Sequence, residues 1–186
     1  MRKLFLFMMV TLDGYFEGEN HDISWHNIDK DFEAFVDEQD GNVDTILFGK
    51  KTYQMMADFW PKPEALQSSP KTATFMNETK KFVASHELFR PEWRNTELLH
   101  ENVFEKIKAM KEESGKDIAI FGSNNLCVSL IEQGLVDEFR IMINPIALGK
   151  GNPLFTGLGK KMNVKLVSVK EFQNGNVLHC YQPGAK

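Results

Sequence analysis

At 186 residues and roughly 150 per domain, the chain is expected to form one domain spanning 1–186. Forty-two per cent hydrophobic residues, among them 15 Phe, suffice for a packed core and exclude intrinsic disorder. With 22 basic against 26 acidic side chains the net charge is -4, so no global field favours a nucleic acid or an anionic membrane as partner.

The first apolar run, LFLFMMV at 4–10, shows no alternation and reads as a central strand covered on both faces. It is too short to span a bilayer and is followed by Thr11 and Asp13 rather than a small-residue cleavage site, which points to a cytoplasmic protein. Cys127 and Cys180 lack CxxC spacing and are expected to be reduced thiols. Asp13-Gly14 signals a turn. From Asp29, Phe32, Phe35 and Val36 recur at helical spacing until Gly41. A short strand at 45–48 leads to Gly49, after which Tyr53, Met56, Ala57 and Trp60 form one helix face.

Pro61 and Pro63 are expected to stop that helix and to open an irregular stretch to Pro70, followed by a weakly patterned helix over 72–80. Strands follow at 82–85 and 97–100, then a helix carrying Val103, Phe104, Ile107 and Met110 that Gly115 ends. A buried strand at 118–121 runs through Gly122-Ser123 into a helix with the stripe Leu126, Cys127, Leu130 and Ile131, closed by Gly134. Beyond it Phe139, Ile141 and Ile143 alternate with other residues, and strands at 164–172 and 177–182 flank Asn174-Gly175, read as a type I′ hairpin. The expected architecture is a three-layer αβα domain with a mixed sheet, mostly parallel and antiparallel at its C-terminal edge.

In open α/β sheets ligands collect where strands end and helix N-termini present free N–H groups. Three junctions qualify. In FGKKTYQMM, Gly49 lets the backbone approach a phosphate, Thr52 offers a hydroxyl, and Lys50 and Lys51 add cations. In IFGSNNL, Gly122 follows a strand, and Ser123 or Asn124 can cap the helix. At 82–85 the strand ends on Ser85. Each junction taken singly is also an ordinary strand-to-helix turn. No GxGxxG, P-loop lysine motif, HExxH or GxSxG is present, and His21, Asp22 and His26 lack further ligands at metal spacing, so no metal site is expected.

The ordered segments TLDGYFEG, DTILFGKKTYQMMADFWP, KFVAS, DIAIFGSNNL and SLIEQGLVDEFRIMINPIALGKGNPLF cover nearly the whole chain. Together they resemble the dihydrofolate reductase-like superfamily, in particular its bacterial branch that contains the reductase domain of riboflavin biosynthesis. The resemblance implies NADPH as cofactor. Gly49, Lys50 and Thr52 would then meet its phosphates, with Lys50 or Lys51 near the 2′-phosphate and Ser85 at the adenosine end. Gly122, Ser123, Asn124, Asn125 and Leu126 would receive the pyrophosphate, with Ser123 standing where the family usually carries a second glycine. A dianionic 2′-phosphate gains charge-assisted hydrogen bonds from lysine, which favours NADPH over NADH. The nicotinamide would lie by Val10, Leu12, Asp13 and Phe16.

An acid on the first helix would hold a pterin-like substrate, and Asp31 has that position, although the helix dipole alone favours a carboxylate there. Asp31 and Asp13 are therefore the candidate proton donors; Asp13 equally shapes a turn. The implied activity is hydride transfer from NADPH to a small pterin- or aminopyrimidine-like heterocycle, either dihydrofolate reductase-like or 5-amino-6-(5-phosphoribosylamino)uracil reductase-like. The alternative is a cofactor-binding domain of the same fold with little or no catalysis. The C-terminal strands suggest a self-complementary surface, hence a homodimer.

Overall fold

The computed structural model describes residues 1–184. Its strands are β1 (Leu4–Thr11), β2 (Tyr15–Glu17), β3 (Val43–Gly49), β4 (Lys80–Ala84), β5 (Thr96–Leu99), β6 (Asp117–Ile120), β7 (Glu138–Asn144), β8 (Asn152–Pro153), β9 (Val164–Glu171) and β10 (Val177–Pro183). Every residue of β1 is buried, which requires cover on both faces and a neighbour on each edge. It lies parallel between β6 and β7, inside an eight-stranded sheet of order β5-β4-β3-β6-β1-β7-β10-β9. The pairs from β5 across to β7 are all parallel; β10 is antiparallel to both β7 and β9. The sheet is thus mixed, mostly parallel, and antiparallel at its C-terminal edge.

Side chains alternate across a strand, so β1 feeds two cores. Leu4, Leu6, Met8 and Val10 enter one, against Ile107 of α5 (Val103–Glu112) and Leu126, Cys127 and Leu130 of α6 (Asn124–Glu132). Phe5, Phe7 and Met9 enter the other, against Phe32 of α1 (Lys30–Asp40), Tyr53 of α2 (Lys50–Phe59) and Met76 of α4 (Pro70–Glu78). A short helix, α3 (Pro63–Ser68), joins α2 to α4. Two helical layers therefore enclose the sheet.

Three local expectations are corrected. The stretch between Pro61 and Pro70 is helical, because Pro63 and Pro70 each occupy the first turn of a helix, where the missing N–H costs nothing and the fixed φ is already helical. The 72–80 helix accordingly begins at Pro70, and it ends where the fully buried Lys81 donates from Nζ to the carbonyls of Met76, Asn77 and Thr79. The β9–β10 hairpin is not type I′, which needs positive φ at two central residues. Only Gly175 is left-handed, at +87°; Phe172 O accepts from Gly175 N, and Phe172 N donates to Asn176 O, leaving a three-residue loop. Asn174 is instead held by Asn27, to whose carbonyl its amide donates at 3.0 Å.

Candidate functional site

β3 and β6 are parallel neighbours, yet α2 leaves β3 for one face of the sheet and α6 leaves β6 for the other. Such a divergence opens a crevice at the carboxyl ends of the strands. Two of the three predicted junctions meet there. Gly49 N donates to Gly122 O at 3.2 Å. A Cβ on Gly122 would stand 2.9 Å from Thr52 Oγ1, and one on Gly49 would overlap Ser123 Oγ. Gly122 also has φ +115°, which side chains disfavour, and it precedes a cis peptide bond to Ser123. Glycine is therefore needed at both turns for the two helix starts to approach.

Neither helix is closed at this end by a side-chain cap. Among the described residues no acceptor takes the first-turn amides of Lys50, Lys51 and Thr52 or of Asn124, Asn125 and Leu126. Two positive helix ends thus face one crevice, an arrangement suited to a diphosphate. The Asn124 side chain has another task. Its amide donates to Thr156 O at 2.9 Å and its carbonyl accepts from Phe155 N, so only its main chain is open to a ligand. Asn125 is exposed, and the Leu126 side chain lies in the core.

The third junction lies beside these two, since Ala84 of β4 pairs with Gly49. Ser85 N donates to Leu99 O, and Ser85 Oγ accepts from Glu87 N at 3.0 Å. Glu87 escaped the sequence reading. Its carboxylate forms an ion pair with Lys50, which holds it below the usual carboxylate range. Lys50 Nζ also stands 5.4 Å from the Phe89 ring centroid, whereas Lys51 is exposed.

Across β6, about two strand spacings or roughly 10 Å from Gly49, the ends of β1 and β7 form the other half of the edge. Val10 is buried in the core and offers this region only main chain; Leu12 is 72% exposed, and Phe16 is half-buried. Asp13 accepts from Thr11 Oγ1 at 2.6 Å, Gly149 N at 2.7 Å and Leu148 N at 3.1 Å, and these donors lower its pKa. These donors favour the ionised carboxylate and tie it to the loop at 146–149. β2 pairs with β8 to extend the same tie.

Asp31 stands half-buried in the first turn of α1, without a hydrogen-bond partner among the described residues. The segment leading to it is anchored by Asn144, whose fully buried carbonyl accepts from Asn27 N at 2.9 Å. Nothing in the sequence marks Asn144 as an anchor beyond its place at a strand end. Next to Asn27, His26 Nε2 is enclosed without a partner, and burial pushes its pKa down to about 4 despite Asp22.

Other reactive groups lie elsewhere. The Cys127 thiol is buried and its pKa is pushed up to about 12, which makes it inert. A hollow lined by Tyr53, Phe89, Arg90 and Trp93 lies beside α2. Among the described residues no three His, Cys, Asp or Glu side chains are placed to hold a metal, and no helix is long and apolar enough to cross a membrane.

Residues 2–178 match the family described as RibD C-terminal domain. The chain is 34% identical over 183 residues to an uncharacterized protein, YyaP, of Bacillus subtilis (strain 168), covering 97% of this chain and 94% of that one. Its fold is shared with a diaminohydroxyphosphoribosylaminopyrimidine deaminase/5-amino-6-(5-phosphoribosylamino)uracil reductase of Thermotoga maritima (TM-score 0.71, 17% identity, 98% of this chain and 57% of that one). It is also shared with an Enterococcus faecalis dihydrofolate reductase complexed with NADP(H) and RAB-propyl (TM-score 0.66, 13% identity, 98% of this chain and 97% of that one).

Proposed function

The chain belongs to the RibD C-terminal domain family, and from that premise we propose that it is an NADPH-dependent reductase acting on a small pterin- or aminopyrimidine-like heterocycle. The observation that carries the proposal is the meeting of two glycine turns and two uncapped helix N-termini in one crevice. The residues fit the dinucleotide: the two glycines let the starts of α2 and α6 approach each other, and six unclaimed amides are available there. Lys50 and Lys51 lie at the mouth toward Ser85, which suits the adenosine end.

When bound, the cofactor supplies a hydride from its nicotinamide. The protein's part is to hold, orient and protonate. The amides at the starts of α2 and α6 fix the diphosphate, and Thr52 Oγ1 lies within reach of it. Leu12, Phe16 and the main chain of Val10 line the other half of the edge and keep water from the ring faces. Asp13 positions the 146–149 loop, which leaves Asp31 as the residue to hold the heterocycle and deliver a proton.

The state of Asp13 also favours a second reading. With its carboxylate consumed by three donors, a chain in which Asp31 did not act would bind the cofactor without turnover. Titration with NADPH and with NADH, followed by ligand fluorescence, tests the site. Loss of nicotinamide absorbance on adding dihydrofolate, and separately a ribosylaminopyrimidine, tests the reaction. NADPH binding with turnover of either substrate is expected; an Asp31→Asn variant should keep binding and lose turnover at least about a hundredfold. Binding without turnover of any such heterocycle leaves the second reading, and no binding removes both.

The same proposal includes the assembly and the compartment. A homodimer is supported by β9, the last strand of the sheet, whose Val164, Leu166 and Val169 share a face and are 42%, 49% and 50% exposed. Two unpaired cysteines suit a reducing cytoplasm.

A further inference from the structure

We propose that Glu87 sets how strongly this chain distinguishes a dinucleotide bearing a 2′-phosphate from one that lacks it, by occupying the Lys50 ammonium. The inference rests on the dinucleotide reading above and adds a specificity residue to it. Lys50 is the first residue of α2, directly after Gly49, and its ammonium turns toward the segment that follows β4. There it is already partnered, with the Glu87 carboxylate on one side and the Phe89 ring on another, and its side chain is only 28% exposed.

A phosphate dianion arriving at this ammonium must displace the carboxylate or remain beside it, and both lower the gain from the lysine. The backbone that carries the carboxylate is held in place. Glu87 N donates to Ser85 Oγ, which donates to Glu87 O at 3.1 Å; Ser85 N donates to Leu99 O at 3.1 Å, and the Ser85 carbonyl lies 3.1 Å from His100 Nδ1. The turn that carries Glu87 is thereby fixed to the end of β5. A ribose 2′-hydroxyl meets the opposite situation, because it is a donor that a carboxylate accepts. One side chain therefore weakens the phosphorylated ligand and favours the unphosphorylated one. The pair is mostly solvated on its Glu87 side, where the side chain is 75% exposed, so the effect is graded and not a block.

Affinities for NADPH and NADH, and for the fragments 2′,5′-ADP and 5′-ADP, are to be measured by titration of the wild type, Glu87→Gln, Lys50→Ala and the double variant, with thermal melts to confirm folding. The wild type should bind NADPH and NADH within about tenfold of each other. Glu87→Gln should raise the NADPH-to-NADH preference about fivefold, corresponding to one displaced charge pair near the surface. In the Lys50→Ala background the same substitution should raise the preference by less, because the part that Glu87 exerts through that ammonium is gone. The fragments should follow the same pattern.

An unchanged preference in Glu87→Gln, with both dinucleotides bound, overturns the proposal and leaves the cofactor site intact. Equal weakening of both ligands overturns it too, since it assigns Glu87 to holding the turn alone. Failure of every folded variant and of the wild type to bind either dinucleotide overturns the dinucleotide reading itself, and this proposal with it.

Discussion

Gly122 must satisfy its own backbone and a neighbour at once. Its φ of +115° disfavours any side chain, and a Cβ would stand 2.9 Å from Thr52 Oγ1. Gly134 separates these two effects: its φ is +66°, but open space surrounds the position of its Cβ. Gly134→Ala is expected to cost about 1 kcal/mol, and Gly122→Ala about 2–3 kcal/mol with a further loss of NADPH affinity. Thermal melts and nucleotide titration of the two variants check this, and equal destabilisation with equal affinity would remove the contact with Thr52 from the account. Gly49 and Gly122 were legible in the sequence because each follows a strand and precedes a helix. Glu87 was not, since its relation to Lys50 depends on β4 lying beside β3, and 37 positions separate the two residues. Asn124 was legible only as a helix start; the use of its side chain to hold Thr156 and Phe155 is a long-range fact.

For helices, periodicity located the buried faces and left the ends to chemistry that sequence expresses less clearly. Pro63 reads as a stop but serves as a start, as Pro70 does, because proline's effect depends on which turn of a helix it enters. The end of α1 carries a sharper conflict. Asp40 is the last helical residue, 8% exposed, at the negative end of the dipole, and burial together with Asp37 raises its pKa to about 7. Over pH 3.8 to 7 the folded chain holds a proton that the unfolded chain has released. The stability from Asp40 is therefore complete below about pH 3.8 and is lost as pH rises through about 7. Asp40→Asn should gain on the wild type across that window, by on the order of 2–4 kcal/mol.

His26 acts in the opposite sense. Its folded pKa of about 4 means that stability is lost as pH falls from 6.5 toward 4, so the Asp40 effect must be taken from the difference between variant and wild type. Denaturant unfolding at pH 4, 5.5, 7 and 8 measures that difference. A difference that stays flat from pH 4 to 8 would mean that Asp40 ionises normally.

The architecture of the whole molecule was legible because its central strands are apolar without interruption and its helices return between them. Such a pattern leaves few alternatives to a parallel sheet enclosed by two layers. The far edge was less legible, because the fate of β9 depends on a register irregularity. Cys180 pairs with Ser168, and Tyr181 with Leu166, so one residue is skipped and the alternation of β9 reverses there. Val164 and Leu166 are brought to the same face as Val169, alongside His179 and Tyr181, while Lys165, Ser168 and Lys170 fall on the other.

An edge strand with charges on one face and exposed aliphatics on the other protects itself poorly alone. A second copy offers the same face, and a two-fold axis matches it to itself. Light scattering should give about twice the 21.3 kDa of one chain, and Leu166→Lys with Val169→Lys should return the single-chain mass without loss of secondary structure or of NADPH binding, since the crevice lies at the ends of β3 and β6. A wild type that runs at 21.3 kDa would mean that the aliphatic face is simply solvated, and dimers that survive both substitutions would move the interface to another surface.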